Sequence, residues 1–151
     1  MSALVLMAQI AGRRCAMAAE DVRSVIDLGV IAPVPRAPAF IAGITALRSQ
    51  TLTVIDCRLA LGLEAASLYP TDTRAAVVAT GGHSYALMVD AIEDIATSLG
   101  EPGHIPGGFG AEWQRAATGM IETGIGPALL LDLRPLIAGP LAGARTNRAA
   151  A

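Results

Sequence analysis

Short runs of alternating or continuous apolar residues predict a chain built mainly of β-strands, paired around tight turns. The turns are marked by glycine or by polar residues, which favour a reversal of the backbone. Four hairpins are expected: 4–10 with 15–18, two strands flanking 48–50, 74–80 with 84–89, and 117–122 with 127–133. Such regular strand pairs are typical of small β-sandwiches or barrels.

Short helical turns are predicted where a strand ends at an aspartate. Asp56 and Asp132 each follow an apolar strand and are placed to cap the next turn, and Gly62 ends the first of these turns. Another helical turn is expected at Glu20 and Asp21, with an apolar face at helical spacing that ends at Gly29. The residues of that face are Val22, Val25 and Ile26.

Three stretches are predicted to connect the strands. Residues 31–38 contain three prolines, which exclude a central strand and indicate an extended surface connection. Residues 64–73 are polar and aperiodic, so we expect a loop or hinge there, and residues 98–110 are rich in glycine and proline. The small and polar residues 141–151 are expected to form a disordered tail.

The two halves of the chain resemble each other. Residues 118–134 match residues 42–58 at a constant spacing of 76, with three identities, and residues 85–96 follow the pattern of 15–26 at a spacing of 70. The identical pairs are Gly43 with Gly119, Asp56 with Asp132, and Arg58 with Arg134. Two similar β-lobes explain this repeat, and the recurring glycines indicate a backbone that needs positive φ or close approach. A groove between the lobes is the expected binding site.

Composition and charge exclude several classes of protein. A formal net charge of -2 with no cluster of basic residues argues against a nucleic-acid partner. The longest apolar runs, 4–8 and 127–131, are far shorter than the roughly 18 residues that span a bilayer. No basic region precedes the first apolar run, so we expect no signal peptide and a cytoplasmic location.

No pattern of reactive side chains predicts an enzyme or a metal site. Cys15 and Cys57 lie in apolar surroundings and are expected to be buried free thiols. His83 and His104 lack partners at metal-binding spacing, so neither a metal nor a cofactor is expected.

Three other large side chains are expected to have structural or solvated positions. Trp113, the single tryptophan, is expected to cover an apolar edge. We expect Arg58 and Arg134 to be solvated at the surface, where an arginine contributes little to stability.

The residues PAFIAGITALR, followed by LTVIDCRLALG, resemble the signature of the CheW-like family of bacterial chemotaxis coupling proteins. The segment MVDAIEDI, at 88–95, resembles the corresponding motif of that family's second half. The resemblance extends over roughly residues 3–138. It implies a mainly β fold of two SH3-like five-stranded barrels with short helices, within one domain over 1–140. It also implies a non-catalytic adaptor that joins the cytoplasmic tips of chemoreceptors to the regulatory domain of a chemotaxis histidine kinase.

The resemblance implies a partner-binding surface that includes Arg48, with further residues carried over from the same motifs. These are Gly43, Ile44, Val22, Ser24 and, from the second half, Gly119. Where the family usually has Asn-Leu-Arg-Gly, this chain has Ala46-Leu47-Arg48-Ser49, and Ser24 replaces a glutamate that commonly faces the arginine. Arg48 is therefore expected to be solvated, to find another acceptor, or to be satisfied by a partner protein. These departures leave open a second function, as scaffold of a divergent kinase pathway that governs surface motility or development.

Overall fold

The computed structural model describes residues 3–65 and 73–140. In this part of the chain, ten strands and three α-helices follow one another, with two 3-10 turns at Ala19–Asp21 and Gly107–Phe109. The strands are β1 Ala3–Ile10, β2 Arg13–Ala18, β3 Val22–Asp27, β4 Ile41–Leu47, β5 Gln50–Asp56, β6 Arg74–Thr80, β7 His83–Met88, β8 Ala91–Gly103, β9 Ala117–Thr123 and β10 Gly126–Leu131. The helices are α1 Cys57–Leu61, α2 Ala111–Ala116 and α3 Leu133–Ala138.

The strands form two five-stranded units, which confirms the expected mainly β fold. We call the closed barrel β1-β2-β10-β9-β8 barrel A, and the sheet β3-β6-β7-β5-β4 sheet B. The equivalent elements lie at the spacings found in the sequence: β4, β5 and α1 correspond to β9, β10 and α3, and the hairpin β1–β2 corresponds to β6–β7.

One expectation about the lobes is wrong, because the halves of the sequence do not form separate lobes. Barrel A takes its hairpin β1–β2 from the first half, and sheet B takes its hairpin β6–β7 from the second. Each exchanged hairpin joins its unit through a parallel pairing, β2 with β10 and β7 with β5. Parallel partners cannot be joined by a short turn, so each unit needs strands from distant parts of the chain. Most of the predicted hinge, residues 66–72, and the predicted tail lie outside the described residues.

The predicted caps are confirmed. The Asp56 carboxylate accepts a hydrogen bond from the backbone nitrogen of Arg58, at 3.0 Å, at the start of α1. Gly62 ends that helix with φ of 90°, a left-handed conformation that suits glycine. Asp132 caps α3 in the same way, because its carboxylate accepts from the backbone nitrogen of Arg134 at 3.1 Å.

Two predictions of local structure are wrong. The helical turn at Glu20 and Asp21 exists, but Val22, Val25 and Ile26 belong to strand β3 rather than to a helical face. The glycine-rich stretch predicted as a connection contains the end of the 13-residue strand β8, and α2 follows it. In both places pairing with a distant strand outweighs the local pattern, since strand propensity depends strongly on context.

Three groups of buried side chains hold the described part of the fold together. The interior of barrel A includes Met7 and Ala16, and the interior of sheet B includes Leu52 and Val54. The largest group lies where barrel A, sheet B and the helices meet, and it includes Trp113. Trp113 is only 3% exposed, so it fills this shared core rather than covering an edge. In the described residues, no helix is long and apolar enough to cross a membrane.

Candidate functional site

The outer face of sheet B carries a row of five side chains that passes from the shared core to solvent. Paired residues across the strands place it in the order Val22, Val78, Tyr85, Thr53 and Ile44, which we call row B. Side chains of directly paired residues point to the same face of a sheet. Val78 is buried, Tyr85 and Thr53 are half-buried, and Ile44 is 37% exposed. Two of the expected site residues, Val22 and Ile44, therefore stand at the two ends of one row.

The equivalent row of barrel A is far better covered. Its residues, in the equivalent order, are Ile92, Ala8, Cys15, Leu129 and Met120, which we call row A. The three central residues of row A are at most 1% exposed. The two rows occupy equivalent backbone positions, yet the centre of row A is buried where Tyr85 and Thr53 of row B are only half-buried.

The connection between β8 and β9 lies over the row A side of the molecule. Phe109 places its ring 4.4 Å from the guanidinium carbon of Arg13, which lies two positions from Cys15 on the same face of β2. Trp113 of α2 is buried in the same core as Cys15. The equivalent connection in the first half runs from β3 to β4, carries three prolines and forms no helix in its described residues, 28–40. In the described part of the chain, the connection in the first half therefore has no helix equivalent to α2.

Arg48 lies at the turn that ends β4, beyond the exposed end of row B. Arg48 and Ser49 have φ of 50° and 71°, both left-handed, in the two-residue turn between Leu47 and Gln50. Such turns favour glycine, which has no Cβ to strain, and asparagine, whose short polar side chain tolerates the left-handed conformation. Arg48 is exposed, and among the described residues its guanidinium makes no hydrogen bond or ion pair. Of the three expected states of Arg48, the described residues show the exposed one, since none of them offers its guanidinium an acceptor.

Ser24 does not join this surface as the motif suggests. The register of β3 shifts between Val22 and Ser24, so Ser24 is opposite Val77, which belongs to the interior of sheet B. A bulge of this kind turns the following side chain to the other face. Ser24 is exposed at the edge of the sheet, but it lies on the face opposite Val22.

At both repeated glycines a neighbouring backbone segment lies very close, as expected. A Cβ on Gly43 would lie 2.3 Å from the carbonyl oxygen of Ala32, and Gly43 has φ of 150°. A Cβ on Gly119 would lie 2.7 Å from the carbonyl oxygen of Gly103. Both glycines are buried, so they shape the backbone beside the exposed residues and do not present a side chain to a partner.

Arg58 is not the solvated residue that we expected. Its Nε donates to Asp90 Oδ1 at 2.9 Å, and its second guanidinium nitrogen donates to Asp90 Oδ2, with both side chains about a quarter exposed. Asp90 Oδ2 also accepts from the backbone nitrogen of Ala11 at 2.9 Å. The equivalent Arg134 is 86% exposed and pairs with Asp132, two residues earlier. The sequence repeat alone does not predict the pair of Arg58 and Asp90. Predicting it requires knowing that β7, which precedes Asp90, pairs with β5, which precedes Arg58.

The thiols are unsuited to nucleophilic chemistry. Cys15 and Cys57 are both fully buried and form no disulfide, which confirms the prediction of free buried thiols. Burial, reinforced by the charges of Asp90 and Glu93, raises the pKa of Cys15 to about 12. Burial also raises the pKa of Cys57 well above its ordinary value. A thiol must lose its proton to act as a nucleophile, so both are inert in the folded state. In the described residues, no group of His, Cys, Asp or Glu could hold a metal ion.

A family model described as CheW-like domain matches residues 4–140. The chain belongs to the CheW-like family. Protein FrzA of Myxococcus xanthus is 33% identical over 79 residues, 52% of this chain and 49% of that protein. Chemotaxis protein CheW of Rhizobium meliloti (strain 1021) is 38% identical over 66 residues, 43% of this chain and 41% of that protein. The CheW-like chain thus spans about half the length of the curated relatives it matches.

A solved structure has the same fold as this CheW-like chain. It is the scaffolding protein TtCheW from Thermoanaerobacter tengcongensis, with a TM-score of 0.78 and 23% sequence identity, covering 90% of this chain and 92% of that one. The high score at low identity shows that the arrangement of barrel A and sheet B is a property of the fold. At this low identity the likeness shows the fold alone.

Proposed function

We propose that this CheW-like chain is a non-catalytic cytoplasmic adaptor that joins chemoreceptor tips to a chemotaxis histidine kinase. The receptor tip would pack on row B, next to Arg48, and the kinase would bind through its regulatory domain. The observation that carries the proposal is that row B is partly exposed at Tyr85, Thr53 and Ile44, whereas the central residues of the equivalent row A are buried. A partner segment that presents a helix with large apolar side chains would cover the exposed end of row B.

The chemistry of the surface supports a protein partner over a small molecule. Row B combines an exposed aliphatic side chain, Ile44, with the hydroxyls of Thr53 and Tyr85. Arg48 stands beside it without an acceptor among the described residues. Exposed apolar side chains next to an arginine are typical of protein interfaces, in which aromatic and arginine side chains carry much of the binding energy. We therefore expect an acidic group of the partner to meet Arg48.

Replacing Arg48 by alanine tests this proposal. We expect Arg48→Ala to weaken binding to a soluble receptor-tip fragment about ten-fold or more, since a lost charged hydrogen bond has that effect. The thermal midpoint of unfolding should stay nearly unchanged, because in the described part of the chain Arg48 has no hydrogen bond or ion pair to lose. Calorimetric titration and thermal unfolding of the same preparations measure both effects.

The exposed Arg134 provides a matched control, because Arg134→Ala removes an equal charge from the other half of the molecule. A large loss of thermal stability in Arg48→Ala would mean that Arg48 is structural. Absence of binding by the wild-type chain to either partner, at high micromolar concentration, would contradict the adaptor proposal.

A second candidate function is a scaffold for a divergent kinase pathway outside swimming chemotaxis. It is favoured by the departures at Ser24, Ala46 and Ser49, and by the match to Protein FrzA over a larger share of the chain than the match to the chemotaxis relative. Deleting the gene separates the candidates: loss of swimming chemotaxis supports the first, and intact chemotaxis with altered surface motility or development supports the second.

A further inference from the structure

Helix α2 has no counterpart among the described residues of the first half, although nearly every other element recurs. It covers Ala111–Ala116 and contacts both α1 and α3. These two helices are equivalent in the repeat: α1 follows β5 of sheet B, and α3 follows β10 of barrel A. The inserted helix therefore touches the same structural element of both units.

One side chain of α2 makes hydrogen bonds to both helices. The Arg115 guanidinium donates through Nη2 to the carbonyl oxygen of Ala60 in α1 at 2.9 Å, and through Nη1 to that of Pro135 in α3 at 3.2 Å. The last carbonyls of a helix lack partners within the helix, so Ala60 offers an acceptor at the end of α1. The carbonyl of Pro135 also accepts from the backbone nitrogen of Gly139 at 3.0 Å.

The geometry of these bonds constrains the two helices in a way that apolar packing does not. The shared core around Trp113 and Leu136 attracts the units to each other, but such contacts have little directional preference. A guanidinium is planar and presents its donors in a fixed fork, so two bonds to two backbones fix the separation and the rotation of those backbones. A lysine ammonium is a compact point charge without a planar fork, so it could not impose the same angle.

We propose that Arg115 is a positioning residue that fixes the orientation of barrel A relative to sheet B. By doing so it holds row B, the surface proposed for the receptor tip, at one angle to barrel A. Only this second statement rests on the proposed function. The first concerns the molecule alone and can be tested without any partner.

The orientation is tested with Arg115→Lys and Arg115→Met in the full chain, with Arg134→Lys as a matched control. Arg134 also lies at α3 but is solvated, so its replacement should change nothing. Residual dipolar couplings give the angle between barrel A and sheet B, and amide hydrogen exchange reports local opening. For Arg115→Lys we expect a changed angle and roughly ten-fold faster exchange at the Gly62 and Gly139 amides, the effect of losing one charged hydrogen bond. Amides inside barrel A and sheet B should keep their protection.

An unchanged angle with unchanged exchange in Arg115→Lys would overturn the proposal. Equal loss of protection at every amide, including those inside both units, would also overturn it, since that result means a purely structural role. If Arg115→Met does not fold, the lysine variant still decides the question.

A second measurement addresses the adaptor. The kinase regulatory domain and the receptor-tip fragment are titrated separately and together into wild-type protein and Arg115→Lys. We expect the affinity for each partner alone to be unchanged. The affinity for the second partner when the first is bound should fall about ten-fold, which corresponds to the loss of one charged hydrogen bond. Unchanged simultaneous binding would contradict a role in the adaptor. If the wild-type chain binds neither partner, the proposed function fails, while the couplings still decide whether Arg115 sets the orientation.

Discussion

Barrel A and sheet B are built from equivalent strands, yet in the described residues barrel A closes and sheet B does not. Strand β8 has 13 residues and pairs with both β1 and β9, which completes the barrel. Its counterpart β3 has six residues, and the described part of sheet B is bridged across the same gap by the single pair of Ala32 with Ile44. An edge without a full partner is the part of a sheet most open to another chain. The length of one strand thus decides which unit keeps an open side.

The ion pairs of the two equivalent arginines, Arg58 and Arg134, also differ. Arg58 crosses to Asp90 and thereby connects α1 to the turn of β1–β2. Arg134 stays with the aspartate of its own helix cap and is almost wholly exposed. A repeated residue therefore keeps its place on the backbone without keeping its contact.

The two repeated glycines should give the greatest loss of stability when they are replaced. We expect Gly119→Ala to lower the free energy of unfolding by about 1–3 kcal/mol, the range found for overpacked interiors. Its Cβ would meet the carbonyl of Gly103, which the ladder of barrel A holds in place. In Gly43→Ala the Cβ meets an even closer carbonyl, that of Ala32, which accepts a hydrogen bond from Ile44, and Gly43 also has φ of 150°. Urea denaturation should therefore show the larger loss for Gly43→Ala.

Gly29→Ala is the control for both glycine variants, because a Cβ there meets nothing within 4 Å among the described residues. A loss in Gly29→Ala equal to that in Gly119→Ala would show that close approach is not the cause. A larger loss in Gly119→Ala than in Gly43→Ala would show that the bridge at Ala32 moves aside more easily than the ladder of barrel A.

A more moderate loss should follow from breaking the ion pair between Arg58 and Asp90. Asp90→Asn keeps an acceptor for the Ala11 nitrogen but removes the charge that faces Arg58. We expect a loss of about 1–2 kcal/mol, since hydrogen bonds between charged groups exceed neutral ones and this pair is partly shielded from water. Chemical denaturation at neutral pH measures it. Arg134→Ala, at the solvated counterpart, should leave stability unchanged, and an equal loss in both variants would contradict the difference between the halves.

Substitutions in the turn at Arg48 and Ser49 should change stability less than the glycine variants or the loss of the ion pair. Ser49 has φ of 71°, and the second residue of the β6–β7 turn is Gly82 with φ of 81°. Ser49→Gly should raise the free energy of unfolding by about 1 kcal/mol, because glycine has no Cβ to strain in this conformation. The reverse change, Gly82→Ser, should lower it by a similar amount. Thermal unfolding of the two variants checks this, and a loss of stability in Ser49→Gly would contradict the assigned turn geometry.

Much of the site could be predicted from the sequence because it depends on local rules. The turn at Arg48, the cap at Asp56 and the backbone need at Gly43 follow from residue types and their spacing. The resemblance that placed Val22 and Ile44 on one surface is matched by their positions at the two ends of row B. Whether these residues bind a partner stays a prediction.

The amino-acid sequence alone specified the hairpins, the helix caps, the recurring glycines and the repeat, since each depends on local residue patterns. Tertiary packing was needed to establish that the hairpins exchange, that β8 closes its barrel while β3 does not, and that Arg58 meets Asp90. It also left row A covered and row B partly bare. The reason is that strand pairing and burial depend on which distant segment arrives beside a residue, and a local pattern of apolar and polar positions carries no record of that neighbour.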